Sequence, residues 1–589
     1  MNGTTPTPEP SSWGRIRAAL SRPSGTRFVL WFAVYAAVTC FTRATFFGDT
    51  RGYALSILQF IRGEPHPLFL DFGHVLWRPT GWLVFKIIGS LTSRFVGPDL
   101  RTNIAACLFL VNWVAGLLAL VVLNAALRLL CSREWPATLT TIGFLFSQSF
   151  LNFSQTGCSY ITGLSLLLFA LFLLILGISR SEGIWPISLA AGAAIAGAVG
   201  FWFLYILALP GALALPFFLP GKITKKRAHL ALWTTIFFGF FVALIYGAVI
   251  AHLELYRVRD LSTWISGSSH GIENVRGLGR SVFGFCRSVI NMGDDGLSFK
   301  RFLRRDPYNP VSIWQLSLLS FGKLLCFCFV IISMVVFSLR KPRQRKMMLG
   351  LLLGSAPVMG FALYWQGGDM ERYLPMFPFL FLAASSFLCN CESPRWSLPL
   401  AMILVMGLVL ANGGALLKWR SSSRKEYQLS RIAFIRPLLK TGSQIAVLDD
   451  EVSETKSDPL HTTAEDDALP FYFVVANGSS KVSHWRGDFA SMAFSAWDVA
   501  GDVWVSKRLV RPRPTAHMSW VEGDDRRISW HDIYFFFLQM DMGVSVGGDD
   551  GFALVVPSSK NRDFMRHFQG LGCRTEGSDR SGCQFAVWQ

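Results

Sequence analysis

The amino-acid sequence predicts a helical, polytopic membrane domain of about eleven transmembrane helices, followed by a C-terminal α/β domain outside the cytoplasm. Of the 589 residues, 51% are hydrophobic, only 16% are charged, and the mean hydropathy is +0.39. A soluble chain of this size carries about a quarter charged residues. Apolar blocks of about 20 residues, enough to cross the hydrocarbon core of a bilayer, fill residues 28–417. Beyond Lys418 charges, short β-rich runs and turns return, which indicates a second domain.

These changes in composition set the predicted domain boundaries. Residues 1–27 are basic and rich in Pro, Ser and Thr, and we expect a cytoplasmic tail there. Residues 28–419 form the predicted membrane domain, and residues 420–589 form the extracytoplasmic domain. The first apolar run lacks a small-residue cleavage site behind it, which favours a retained helix over a signal peptide. The predicted spans are residues 28–44, 103–127, 137–151, 160–178, 186–202, 204–219, 229–251, 311–339, 346–364, 373–390 and 396–417.

Basic tracts in short loops decide the predicted orientation. The tracts at residues 222–227 and 340–346 lie between apolar blocks, as is typical of cytoplasmic loops. The net charge of +18 is therefore explained largely by topology, and we expect no nucleic-acid partner. If the leftover apolar block at residues 75–91 crossed the membrane, both tracts would move outside. We therefore predict that this block is an amphipathic helix on the outer surface.

The block itself supports this placement. Its residues Arg78, Pro79 and Lys86 suit an interface better than the centre of a bilayer. Two large loops, at residues 45–102 and 252–310, then face outward. We expect the chain to lie in a bacterial inner membrane with its C-terminal domain outside, in contact with membrane lipids.

The first outer loop contains a candidate base. Asp49 lies directly after the first helix, in a Gly-Asp-Thr turn before a predicted amphipathic helix. A carboxylate at a helix N-terminus is stabilised as the anion and can accept a proton or help to bind a cation. A helix cap without a chemical role is the alternative interpretation. His66, Asp71 and His74 add titratable groups, which are either functional or ordinary surface residues.

A late outer turn contains candidate anion ligands. Asp369, Glu371 and Arg372 precede Tyr373 and two prolines at the start of an apolar helix. A guanidinium at the interface suits a phosphate or pyrophosphate head group. A simple boundary marker at the helix end is the alternative. The long loop at residues 252–310 adds Arg276 and Arg280, either as part of a lid or in a plain connector.

These motifs resemble the GT-C superfamily of polytopic glycosyltransferases that use polyprenyl-phosphate-linked sugars. This superfamily includes protein O-mannosyltransferases, lipid A aminoarabinose transferases and oligosaccharyltransferases. Its members often append a soluble domain on the outer face, which is the predicted place of residues 420–589. The resemblance covers residues 28–417 in layout and is carried by Asp49 with Tyr53, by His66-Pro67-Leu68, and by Glu371-Arg372-Tyr373-Leu374-Pro375 with Pro378.

The resemblance implies an inverting sugar transfer from a polyprenyl-phosphate donor to a lipid, glycan or protein acceptor. Because the donor already carries its leaving group, the implied work is to deprotonate the acceptor and stabilise the departing phosphate. Asp49 is the implied general base. Arg372, helped by Arg78, Arg276 or Arg280, is the implied phosphate ligand. The implied substrate-binding set is Tyr53, His66, His74, Arg78, Arg276, Arg280, Glu371, Arg372 and Tyr373.

One departure from the family pattern bears on cofactors. Many relatives have a pair of acidic residues in the first loop or another acid in the second outer loop. Here Asp49 has no acidic neighbour in its turn, and residues 152–160 contain no acid. A divalent metal needs several oxygen ligands, so we expect neither a metal nor another cofactor. A flippase or transporter for a lipid-linked substrate, and a catalytically silent scaffold, remain alternative functions.

The C-terminal domain alternates short apolar runs with helical stretches. Residues 443–451, 470–477, 502–510 and 552–557 predict strands, and residues 490–500 and 530–540 predict helices. Cys573 and Cys583 close a short polar loop and are a candidate disulfide, since the domain is predicted to lie outside the cell. The cysteines at positions 107, 326, 328 and 389 are interpreted as small apolar residues of the membrane domain.

Overall fold

A computed structural model of the chain divides into two compact units. One unit comprises Met1–Gly296 with Ser317–Lys418, and the other comprises Leu297–Leu316 with Trp419–Gln589. The predicted fold class, a helical membrane region with a C-terminal α/β region, is confirmed. The structure describes residues 24–44, 49–64, 68–96, 100–131, 134–179, 183–219, 224–267, 278–292, 312–316, 322–340, 342–365, 367–389, 394–417, 438, 443–447, 472–474, 485–507, 510, 530–547 and 551–569.

The first unit consists of helices, most of them apolar. The helices in the loops that we predicted to face outward are α2 (Thr50–Arg62), α3 (Trp77–Val96), α11 (Val258–Gly267) and α12 (Leu278–Val289). The remaining helices are α1 (Ser24–Phe41), α4 (Leu100–Leu130), α5 (Glu134–Leu145), α6 (Gln148–Phe153), α7 (Tyr160–Ser179), α8 (Ile184–Phe201), α9 (Leu209–Phe218), α10 (Lys225–His252), α14 (Gly322–Arg340), α15 (Pro342–Tyr364), α16 (Phe377–Cys389) and α17 (Pro394–Leu408). Short 3-10 helices at Phe72–His74, Phe203–Ala208 and Met370–Met376 and a π-turn at Val409–Gly413 join them.

Seven helical segments among the described residues are long and apolar enough to cross a membrane. Three shorter apolar segments, Gly25–Phe41, Phe203–Phe218 and Leu398–Gly413, match further predicted spans. The protein is thus a multi-pass integral membrane protein. Helix α3 is not among these segments, as expected for the block that we predicted to lie on the surface. The seven segments are Leu100–Leu130, Tyr160–Ser179, Ile184–Phe201, Lys225–His252, Gly322–Arg340, Arg345–Tyr364 and Met370–Cys389.

The predicted spans at residues 137–151 and 311–339 differ from the structure. The span at residues 137–151 is broken into α5 and α6, because Ser147 is extended and its hydroxyl donates to the Phe144 carbonyl at 2.7 Å. The freed Phe146 carbonyl accepts a hydrogen bond from Asn412. The span predicted at residues 311–339 starts at Gly322, and the short helix α13 (Ile313–Leu316) belongs to the second unit.

Close packing of small residues holds the membrane helices together, since lipid provides no hydrophobic drive for their association. Helices α8 and α10 show this most clearly. A Cβ added at Gly192 would lie 2.8 Å from both the Phe237 Cβ and the Phe238 backbone nitrogen. Only glycine therefore permits this approach.

Polar contacts show which helix ends lie together at each end of the bundle. At one end Glu134 contacts Arg27 at 3.0 Å and Arg128 at 3.3 Å. A disulfide between Cys131 and Cys389, with Cα atoms 5.8 Å apart, joins α4 to α16 at the same end. The interpretation of Cys389 as a small apolar residue was therefore wrong, because the span ends there and the chain packs on Cys131.

At the opposite end the first and last membrane helices meet. The Arg43 backbone N–H donates to the Leu416 carbonyl at 2.7 Å. The Gln155 amide donates to the Thr42 hydroxyl at 3.1 Å. The segment before Asp49, the α6–α7 turn and the end of the last helix therefore share one end of the bundle. The charge pattern predicts that this end faces outward.

The second unit contains a five-stranded sheet in the order β2-β1-β3-β5-β4. Strands β1 (Gln444–Val447), β2 (Tyr472–Val474) and β3 (Val503–Ser506) are parallel; β5 (Phe552–Val555) runs antiparallel to β3 and to β4 (Met542–Val546). Helices α18 (Trp485–Asp498), α19 (Trp530–Leu538) and α20 (Ser559–Gln569) accompany the sheet. Phe489, Phe536 and Val555 lie in their common core.

Four of these strands and two of the helices were predicted. Strand β4 was missed because it shows no alternation of buried and exposed positions: the side chain of Val544 at its centre is 66% exposed. The candidate disulfide between Cys573 and Cys583 lies outside the described residues and stays a prediction.

Candidate active site

Asp49 occupies the N-cap position of α2, but its side chain does not cap the helix. The Asp49 backbone carbonyl accepts the Tyr53 N–H at 2.9 Å, as the first turn of a helix requires. The carboxylate points elsewhere: its Oδ2 accepts hydrogen bonds from the Tyr160 hydroxyl at 3.2 Å and from the Tyr53 hydroxyl at 3.4 Å. The side chain is half-buried. The alternative interpretation of Asp49 as a mere helix cap therefore does not describe its carboxylate.

The two phenols are held rigidly. Tyr160 begins α7; its ring packs 4.6 Å from the Trp202 ring, and its carbonyl accepts the Tyr205 hydroxyl at 2.6 Å. Tyr53 is 1% exposed. Burial, with a smaller contribution from the Asp49 charge, raises the pKa of Tyr53 well above its usual range. The Tyr53 phenol therefore stays protonated and can act as a hydrogen-bond donor.

His74 is a hydrogen-bonding partner of Tyr53. Its Nε2 is 3.2 Å from the Tyr53 hydroxyl oxygen. Its Nδ1 is 3.1 Å from the Phe201 carbonyl oxygen and 2.8 Å from the Ser159 hydroxyl. Helix α8 ends at Phe201 because Trp202 is extended. Burial lowers the pKa of His74 to about 4, against the opposing effect of the Asp71 charge.

Arg78 is buried beside this group. It forms an ion pair with Asp71 at 3.5 Å, and the two side chains are 3% and 2% exposed. The Arg78 guanidinium also lies 4.7 Å from the centroid of the Tyr53 ring. The structure thus places Arg78, predicted as a phosphate ligand, against Tyr53 and Asp71.

The turn between α6 and α7 completes this half of the site. The Gly157 N–H donates to the Thr50 hydroxyl at 3.0 Å, and the Gly157 carbonyl accepts the Trp77 indole N–H at 3.0 Å. Burial raises the pKa of the adjacent Cys158 thiol to about 12, so this thiol stays neutral. Sequence reasoning found no site in this turn because it contains no acid. Its contribution is the placement of Ser159 and Tyr160.

The late outer turn forms the other half of the site. Residues 370–376 form a short 3-10 helix in which Glu371 is buried. Arg372 Nε lies 4.0 Å from the Asp369 carboxylate. The Tyr373 hydroxyl lies 2.7 Å from the Ser281 carbonyl oxygen and 2.7 Å from that of Gly367. Tyr373 therefore ties this turn to α12.

Helix α12 brings two further arginines to the same turn. Arg287 donates to the Gly368 carbonyl at 3.4 Å. Arg280 packs directly on Gly368, where an added Cβ would meet the Arg280 Nε at 2.7 Å. A Cβ at Gly284 would overlap the Gly367 carbonyl, so glycine is needed for this docking. Three guanidinium groups thus converge on the turn around Asp369.

The two halves of the site lie at the same end of the helix bundle. The Ser149 hydroxyl, in α6, donates to the Met370 carbonyl at 2.9 Å, while the turn after α6 contacts Thr50. The charges of Asp49 and Glu371 are close enough to act on each other and on Tyr160. A second carboxylate thus comes from the late turn, although the second outer loop contains none.

His66 and Arg276 lie outside the described residues. Among the residues that the structure does describe, no three His, Cys, Asp or Glu side chains are grouped closely enough to hold a metal ion.

No protein-family model and no curated protein matches the sequence. The fold is similar to that of ArnT from Cupriavidus metallidurans bound to undecaprenyl phosphate, with a TM-score of 0.49, 14% identity and coverage of 91% of this chain and 99% of that chain. It is also similar to the apo oligosaccharyltransferase of Archaeoglobus fulgidus, with a TM-score of 0.42, 14% identity and coverage of 84% of this chain and 70% of that chain. The fold is also similar to that of the same organism's AglB in complex with an inhibitory peptide and a dolichol-phosphate. The TM-score is 0.40, the identity is 12%, and the match covers 83% of this chain and 70% of that chain.

The resemblance to the GT-C superfamily therefore rests on the sequence motifs around Asp49 and Glu371-Arg372-Tyr373. At this sequence identity and with TM-scores below 0.5, no residue role and no activity is transferred from these structures.

Proposed function

We propose that the protein is an inverting glycosyltransferase that moves a sugar from a polyprenyl-phosphate donor to an acceptor on the outer face of the membrane. The observation that carries this proposal is the state of the Asp49 carboxylate. Oδ2 accepts two phenol hydrogen bonds, whereas Oδ1 has no protein hydrogen bond within the described part of the chain. A half-buried carboxylate with one occupied and one unoccupied oxygen suits a general base.

Besides this base, the proposed reaction requires only a group that stabilises the leaving phosphate. In a single displacement, the acceptor oxygen or nitrogen bonds to the anomeric carbon as the bond to the phosphate oxygen breaks, and the configuration inverts. The acceptor proton moves to Oδ1 of Asp49. The bonding electrons leave with the polyprenyl phosphate. No cofactor takes part, and independence from metal remains a prediction.

The leaving phosphate requires positive charge at the same end of the bundle. The guanidinium groups of Arg280, Arg287 and Arg372 lie around the turn that contains Asp369. Guanidinium groups match phosphate oxygens in geometry and remain charged at all relevant pH values. We assign the phosphate to these arginines. Arg287 joins the set that was expected from the sequence, whereas buried Arg78 supports Tyr53.

The alternative functions predict different behaviour. A transporter for the same lipid requires the two turns to bind substrate without breaking the sugar–phosphate bond. A silent scaffold requires neither Asp49 nor the arginines. The unoccupied Oδ1 beside an anion-binding turn favours chemistry over both alternatives.

The test is a strain that lacks the protein, with its polyprenyl-linked sugars analysed by mass spectrometry. We expect one polyprenyl-phosphate sugar to accumulate, wild-type protein to remove it, and Asp49→Asn to restore less than about one hundredth of the transfer rate. Asp260→Asn, in the outer helix α11, is the matched control and should behave as wild type.

Protein abundance in the membrane must be equal in all strains. Full transfer by Asp49→Asn would remove Asp49 from the role of base. If no lipid-linked sugar accumulated in the deletion strain, the proposed transferase activity would be wrong.

A further inference from the structure

We propose that His74 is a positioning residue: it accepts the hydroxyl proton of Tyr53 and so keeps Tyr53 from donating fully to Asp49. The proposal rests on the proposed role of Asp49 as the base. It assigns His74, which was grouped with the substrate ligands from the sequence, to a different task. His74 is 4% exposed and Tyr53 is 1% exposed. Neither side chain has a surface on which to bind a sugar.

The surroundings of His74 determine its tautomer. The Phe201 carbonyl oxygen can only accept a hydrogen bond, and it lies 3.1 Å from Nδ1. We therefore assign the ring proton to Nδ1, which shares it between the Phe201 carbonyl and the Ser159 oxygen. In a neutral imidazole Nε2 is then an acceptor. It faces the Tyr53 hydroxyl at 3.2 Å.

The Tyr53 hydroxyl has a single proton and two acceptors within reach. His74 Nε2 is 3.2 Å away, and Asp49 Oδ2 is 3.4 Å away. Each hydrogen bond donated to a carboxylate stabilises its anion and weakens it as a base. Tyr160 already donates one to Oδ2. By taking a share of the Tyr53 proton, His74 keeps Asp49 more basic than two full phenol donors would leave it.

The arrangement is rigid, as a positioning role requires. Tyr53 is fixed on one face by Arg78, which Asp71 holds in turn. His74 is fixed by two partners on different elements, the end of α8 and the turn before α7. The Tyr53 hydroxyl can therefore donate its proton to either of two acceptors, His74 Nε2 or Asp49 Oδ2, whose positions are fixed.

The other charged or titratable groups near Asp49 and His74 belong to several elements. These groups are the same in the wild type and in every His74 or Tyr53 variant, so they do not account for differences between the pH profiles. The described groups are Asp71 in the outer loop, Arg78 in α3, Cys158 before α7, Tyr160 in α7, and Asp369, Glu371 and Arg372 in the late turn.

The test compares two replacements of His74 that each keep one ring nitrogen's function. Asn places an amide N–H near the position of Nδ1 and leaves Tyr53 without its second acceptor. Gln places an amide oxygen near the position of Nε2 and keeps that acceptor. The full-length protein is assayed in nanodiscs from pH 2.5 to pH 8. Its donor is the lipid-linked sugar accumulated by the deletion strain, and its acceptor is that strain's own membranes.

We expect His74→Asn to shift the acidic midpoint of kcat/KM down by about one pH unit and to lower kcat by about tenfold, because Asp49 becomes a weaker base. His74→Gln should keep the wild-type midpoint. Tyr53→Phe removes the phenol donor and should shift the midpoint upward. The double variant Tyr53→Phe/His74→Asn should have the midpoint of Tyr53→Phe alone, because His74 acts only through the Tyr53 hydroxyl.

Matched controls are His229→Asn, His229→Gln and Tyr256→Phe, which change exposed side chains elsewhere in the chain. Independent shifts from Tyr53→Phe and His74→Asn that add in the double variant would overturn the proposal. So would a His74→Gln variant with the midpoint of His74→Asn.

A second measurement does not depend on the reaction. Ring ¹⁵N chemical shifts of His74 in the labelled full-length protein should show a protonated Nδ1 and an unprotonated Nε2, and Tyr53→Phe should shift Nε2 alone. A protonated Nε2 would overturn the positioning role while leaving the transferase proposal intact. A deletion strain without accumulated donor would overturn the transferase proposal while the ring shifts still report on His74.

Discussion

The two halves of the candidate site differ in the side chains that form them and in how deeply those side chains are buried. Around Asp49 the contacts are between phenols, an imidazole and backbone carbonyls, and the Arg78–Asp71 ion pair beneath them is buried on both sides. Around Asp369, Arg280 and Arg287 contact Gly368, Arg372 lies beside the Asp369 carboxylate, and Arg280 is exposed. In the proposed mechanism, the first arrangement controls the position of protons, and the second attracts an anion. Changes in pH and salt should therefore separate the two halves.

The largest expected effect is on the stability of the proton-handling half. Replacing Arg78 by Met leaves the Asp71 carboxylate buried without its partner, and we expect a loss of about 3–5 kcal/mol in the free energy of unfolding. The double variant Asp71→Asn/Arg78→Met should recover most of this loss, because no buried charge remains. A thermal unfolding assay in detergent measures both.

Arg94→Met, on the exposed side of the same helix α3, is the control and should change stability by less than about 0.5 kcal/mol. Equal effects of Arg78→Met and Arg94→Met would show that the buried ion pair does not support this half of the site.

The next effect concerns how α12 docks on the late turn. Gly284→Ala places a methyl group where the Gly367 carbonyl lies, and we expect about 1–3 kcal/mol of strain. This strain should lift α12, weaken the Arg287 contact with Gly368 and raise the Kd for undecaprenyl phosphate. Binding can be measured by quenching of tryptophan fluorescence in nanodiscs.

Gly279→Ala, in the first turn of the same helix, has no atom within 4 Å of its added methyl group and is the matched control. Undecaprenyl phosphate binding that is unchanged in Gly284→Ala would contradict the assignment of α12 to the anion-binding half.

The smallest effect is that of a single guanidinium. Arg372→Ala should weaken undecaprenyl phosphate binding by about tenfold, and the loss should shrink at high salt, where screening already weakens the attraction. Binding of the uncharged alcohol undecaprenol should not change. Arg259→Ala, an exposed arginine of α11, is the control. If Arg372→Ala weakened the alcohol as much as the phosphate, Arg372 would not be a phosphate ligand.

Sequence reasoning reached those residues of the site that stand next to a recognisable boundary. Asp49 follows the first apolar helix directly, and Glu371-Arg372-Tyr373 precedes a late one, so hydropathy and local chemistry single them out. Tyr160, Ser159 and the Phe201 carbonyl carry no such signal. Tyr160 contacts Asp49 across 111 positions of the chain, and a serine or a backbone carbonyl at a helix end looks ordinary in a sequence.

The same limit explains the differences in the fold. The predicted span at residues 137–151 is apolar throughout, and its break depends on Asn412, which satisfies the carbonyl of Phe146. The pairing of Cys131 with Cys389 depends on α4 and α16 ending side by side. In both cases the partner lies more than a hundred residues away, where no local pattern can indicate it.

By itself, the sequence determined that this chain spans a membrane many times, where its apolar helices run, and that Asp49 and Arg372 stand at helix ends. Hydrophobic burial and chain length act locally and leave a readable pattern. Only the tertiary structure decided that the Asp49 carboxylate turns to two phenols instead of capping α2, that Arg78 is buried while Arg287 reaches the late turn, and that His74 faces Tyr53. These features depend on hydrogen bonds between distant segments, whose directions are set by how the helices pack.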